Sequence, residues 1–63
     1  MDDLTTNELA REWSDAKARA DTFLARAMAS HRPESRQYNM ELHFGHARKA
    51  ATMLAELIRR TEN

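Results

Sequence analysis

Apolar residues recur along this chain at alternating intervals of four and three, in two runs separated by its only proline. Leu9, Trp13, Ala16, Ala20, Phe23 and Ala27 make the first run, and Met40, Phe44, Ala47, Ala51, Leu54 and Ile58 the second. With about 3.6 residues per turn, this spacing sets each run along one side of an α-helix. A strand alternates its sides every second residue and would bury neither run. Pro33 disfavours helical backbone at Arg32 and suits the first turn of a following helix, so the break falls within about Ser30 to Ser35. The chain is therefore expected to be all-α: an antiparallel helical hairpin, helix 1 over about 5–31 and helix 2 over about 34–60. It makes a single domain over 1–63, with frayed ends at 1–4 and 61–63.

Local signals agree with this layout. Thr5-Thr6-Asn7-Glu8 has the form of a capping box, with Thr5 as N-cap and Glu8 reaching back to it. Leu4 before the cap and Leu9 at the fourth helical position would form a hydrophobic staple. Acidic Asp2, Asp3 and Glu8 suit the start of helix 1, and basic Arg59 and Arg60 suit the end of helix 2. Valine is absent, glycine occurs once and alanine is abundant, a composition for helix rather than sheet. With no cysteine, neither disulfides nor thiolate metal sites are available.

The two runs can be laid antiparallel so that paired residue numbers add to a constant of 67, which centres the turn between Pro33 and Glu34. Leu9 then meets Ile58, Trp13 meets Leu54, Ala16 meets Ala51, Ala20 meets Ala47, Phe23 meets Phe44 and Ala27 meets Met40. Alanines in the middle allow close approach of the helices. Helix 2 carries a further stripe, His43, His46, Ala50, Met53 and Leu57, whereas the matching side of helix 1 is polar through Glu12, Asp15, Arg19, Thr22 and Arg26. On this pairing the stripe has no partner within the chain. Tyr38 and Leu42 extend the apolar surface toward the turn.

Sixty-three residues are near the lower limit for a self-sufficient core. A homodimer is therefore expected, two hairpins packing into a four-helix bundle with twofold symmetry. Its protein interface would comprise His43, His46, Ala50, Met53, Leu57, Tyr38 and Leu42. The expected function is that of a small non-enzymatic protein–protein interaction module, a regulator, inhibitor or adaptor. It self-associates through helix 2 and binds a partner protein. The alternative is an RNA- or DNA-binding helical bundle using the basic turn region, where Arg26, Arg32 and Arg36 would contact phosphates or an acidic partner. Ten basic and ten acidic residues leave no net charge, so there is no overall attraction to nucleic acid.

Other chemistries find little support. His43 and His46, three apart on helix 2, offer two nitrogens to a metal, short of the three or four that zinc requires. No catalytic triad order or Gly-rich phosphate loop is present, and a hairpin has no cleft for a small-molecule substrate. No enzyme, cofactor or membrane association is expected, and the cytoplasm is the expected location. In its length, its two equal helices and its Ala-containing seam, the chain resembles two known families. One is the small RNA-binding four-helix-bundle regulators of plasmid copy number; the other is the hairpin protein of the large ribosomal subunit. It lacks the latter's strong positive charge, and no motif matches either family residue by residue. The likeness concerns fold and implies no function.

Overall fold

A computed structural model describes residues 3–62. They form two helices, α1 (Thr6–Ala29) and α2 (Pro33–Thr61), packed along their whole length as an antiparallel hairpin. The boundaries follow from local chemistry. The Thr5 hydroxyl accepts the Glu8 backbone N–H, and the Glu8 carboxylate accepts the Thr5 N–H, the reciprocal bonds of the capping box. Those bonds hold the Glu8 carboxyl below its usual pKa. Leu4 packs on the core cluster that contains Leu9, as a staple requires.

At the far end α1 stops at Ala29, slightly earlier than the spacing suggests. Arg32, preceding Pro33, is held extended, and Ser30 is extended too, so only three residues join the helices. No residue in the turn adopts positive φ. The Ser30 N–H instead donates to the Ala27 carbonyl, and the Arg36 guanidinium to the Ser30 carbonyl, so the end of α1 is satisfied without a C-terminal glycine.

The first run is where the sequence puts it. Leu9, Ala16, Ala20 and Ala27 are buried, with Trp13 and Phe23 half-buried beside them. The second run requires correction. Phe44, Leu54 and Ile58 are 54%, 40% and 49% exposed, whereas Ala50 and Met53 are only 7% and 6% exposed. The side of α2 that meets α1 is thus the His43, His46, Ala50, Met53, Leu57 stripe, one residue back along the helix from the expected seam. The stripe does have a partner within the chain.

Three directional contacts between the helices hold this rotation. His43 Nδ1 donates to the Ala20 carbonyl at 2.7 Å, and the His46 ring stacks on Phe23 with centroids 5.4 Å apart. Arg60 reaches across to the Leu4 carbonyl at 2.8 Å. Turning α2 forward by one residue would bring the larger apolar Phe44, Leu54 and Ile58 to the seam but would break all three contacts. Hydrophobic burial has no direction, so the polar contacts decide. Of the expected frayed ends, Met1, Asp2 and Asn63 lie outside the described residues. Leu4 is held by the core and by Arg60, and Thr61 still belongs to α2.

Candidate interaction surface

The rotation of α2 fixes what each broad side of the hairpin presents. On one side, Trp13, Ala20, Ala47, Ala50, Ala51 and Leu54 line a shallow apolar groove, with His43 in its floor and Lys17 and Asp21 on its wall. Helical spacing extends this strip along α2 through Met40, Phe44 and Ile58 and along α1 through Ala10, Leu24 and Met28. On the opposite side, Glu12, Asp15, Arg19, His46 and Lys49 surround a polar hollow. The groove measures ≈ 260 Å³ and the hollow ≈ 140 Å³, both below the roughly 300 Å³ at which small-molecule sites begin. The apolar side has the form of a docking surface rather than a ligand pocket.

The residues singled out from sequence are dispersed by this arrangement. Ala50 and Met53 lie in the core, and Leu57, partly buried, packs against it, so this stripe is largely taken up within the chain. Tyr38 is exposed and Leu42 half-buried, and helical phase sets both toward the polar side, along with Gly45 and Lys49. His43 and His46 diverge to opposite sides of the seam, one lining the groove and the other the hollow. His43 Nδ1 must carry a hydrogen, because the Ala20 carbonyl can only accept. That leaves His43 one ring nitrogen for any ligand. Among the described residues, no group of three or more His, Asp or Glu side chains converges as a metal site would require.

The basic turn is similarly divided. Arg26 lies over the Phe23 ring at 5.3 Å, Arg36 is tied to Ser30, and Arg32 is exposed at the N-cap of α2. Elsewhere, Lys17 pairs with Asp21, one helical turn on, at 3.3 Å on the wall of the groove. At the open end of the hairpin, Glu56 accepts from Arg59 Nε at 2.9 Å and from Arg60 Nε at 3.1 Å. These bonds draw its pKa down to about 2.

The groove was missed from sequence because both α2 stripes keep helical spacing and the one with Phe44, Leu54 and Ile58 is the more apolar. The available signal was polar: only one rotation brings His43 to a carbonyl of α1 and Arg60 to the start of α1. No helix among the described residues is long and apolar enough to cross a membrane. Compared with models of known families, with curated proteins and with solved structures, the chain has no significant match.

Proposed function

We propose that this chain is a small non-enzymatic interaction module, a regulator, inhibitor or adaptor, that docks through its apolar broad side. One observation carries this reading: Phe44, Leu54 and Ile58, three large apolar side chains, stand about half exposed on a single strip of α2 beside Trp13. Single exposed apolar residues are ordinary, but a contiguous strip of them marks a contact surface. Phe44 and Trp13 are aromatic anchors of the type that carry interface energy. The expected interface is therefore moved from the His43–Leu57 stripe to the neighbouring Phe44–Ile58 stripe.

Capture from host lysate compares the native chain with Phe44→Glu and Leu54→Glu, each checked for retained helix by circular dichroism. Loss of the captured protein with both variants is the expected result. Undiminished capture would overturn the assignment. Nuclease-sensitive capture lost on Arg32→Glu and Arg36→Glu would instead favour nucleic acid binding at the turn.

A further inference from the structure

We propose that the apolar side is occupied by a second copy of this chain, related by a twofold axis at the level of Ala47, with the two turns at opposite ends. The inference rests on reading that side as a docking surface, and it names the occupant. Size supports it first. The hairpin extends 46 × 17 × 13 Å, so one broad side covers roughly 800 Å², the share each partner gives to a standard stable interface.

Charge supports it independently. The groove wall carries one cation and one anion, Lys17 and Asp21, which are 59% and 65% exposed. A purely acidic or basic partner would match only one of them. A surface bearing both signs complements itself when turned over onto its own copy, the property an isologous interface needs.

The axis is then determined. Lying in the interface and across the helices, it runs each helix antiparallel to its counterpart in the partner. Placed midway between Lys17 and Asp21, it sets each lysine on the partner's Asp21, making two ion pairs. That height on α1 corresponds to about Ala47 on α2, because Arg19 lines the hollow with His46 and Ala20 lines the groove with Ala47. About Ala47, Phe44 comes to rest on the partner's Ala51 and Met40 beside the partner's Leu54. On α1 the same axis brings Met28, which is exposed, onto the partner's Ala10. A single axis thus matches charge on α1 and sets Phe44 against a small residue on α2. The product is a four-helix bundle in which Phe44 and Leu54 leave water.

Sedimentation of the native chain across a dilution series is expected to show a dimer. Lys17→Glu makes the groove wall doubly negative and Asp21→Lys makes it doubly positive. Each variant alone should self-associate roughly tenfold more weakly or worse, and an equimolar mixture should recover the dimer. An ion pair acting only within one helix would not be rescued by mixing. Because the chain has no cysteine, Ala47→Cys supplies a separate reading: it should oxidise readily to a covalent dimer, and Ser35→Cys near the turn should not. A native chain that sediments as a monomer throughout overturns the second-copy proposal; loss of lysate capture with Phe44→Glu would still uphold docking on that side. A dimer with neither rescue by mixing nor crosslinking at position 47 overturns the axis.

Discussion

The two broad sides of the hairpin share one seam and the same two backbones, yet one is apolar and the other charged. Trp13, Ala47, Ala51 and Leu54 line the first, and Glu12, Asp15, Arg19 and Lys49 line the second. A helix in a hairpin buries only a narrow stripe, so both sides are free to be polar. On α2 the apolar arc is wider than α1 can cover, and most of its excess, Phe44, Leu54 and Ile58, falls on one side, with Tyr38 and Leu42 on the other. Exposed apolar residues scattered at random would have no such polarity. Their concentration is what the proposed docking on that side rests on.

The largest expected effect removes what both sides depend on. Leu9 is the largest fully buried side chain, and Leu9→Ala should cost about 2–5 kcal/mol. Urea denaturation should show the hairpin largely unfolded, since so small a core has little reserve.

The comparison itself is tested by one charge on each side. Leu54→Glu should weaken the proposed self-association by about 1.5–3 kcal/mol, the worth of burying a leucine. Lys49→Glu on the charged side should stay within about 0.5 kcal/mol of the native chain. Equal effects in sedimentation would show that the sides are not functionally different.

Gly45 probes the charged side further. A methyl group there meets nothing within 4 Å, so Gly45→Ala should stabilise α2 by about 0.5–1 kcal/mol in thermal unfolding. Association should not change. Weaker association would place a partner backbone against Gly45 and move the docking surface to the charged side.

The smallest effect is expected in acid. Glu56 is pulled down to about 2 by hydrogen bonds from Arg59 and Arg60, against 4.5 for an unperturbed glutamate. Its contribution is complete above about pH 4.5 and is lost as pH falls through that window toward 2. Melting temperature recorded from pH 6 to pH 2 should fall over this range, and less steeply in Glu56→Gln. An unchanged slope would show that the Glu56 cluster adds no stability to the open end of the hairpin.

Much of this protein was legible in the chain, and unevenly so. The capping box at Thr5 and Glu8, the break at Pro33 and the α1 seam from Leu9 to Ala27 all stand as the sequence indicates. Each is a local matter, decided by residues within one or two helical turns. The surface is different. His43, Ala50, Met53 and Leu57 read as unpartnered from sequence, yet they form or border the seam, while Phe44, Leu54 and Ile58 read as seam and lie exposed. Helical period alone ranks the two stripes equally, since both repeat at intervals of three and four.

Alone, the sequence determined two amphipathic helices, their ends and their antiparallel pairing, because capping, proline geometry and helical period act over short separations. Which side of α2 faces α1 was decided only in the tertiary structure. Both stripes offer apolar burial, the Phe44–Ile58 stripe the more of it, but burial is indifferent to direction. The choice fell to bonds between residues far apart in the chain, His43 with the Ala20 carbonyl and Arg60 with the Leu4 carbonyl. Those bonds turn α2 by about one residue's rotation, roughly 100°, and so set which side of the hairpin is left apolar.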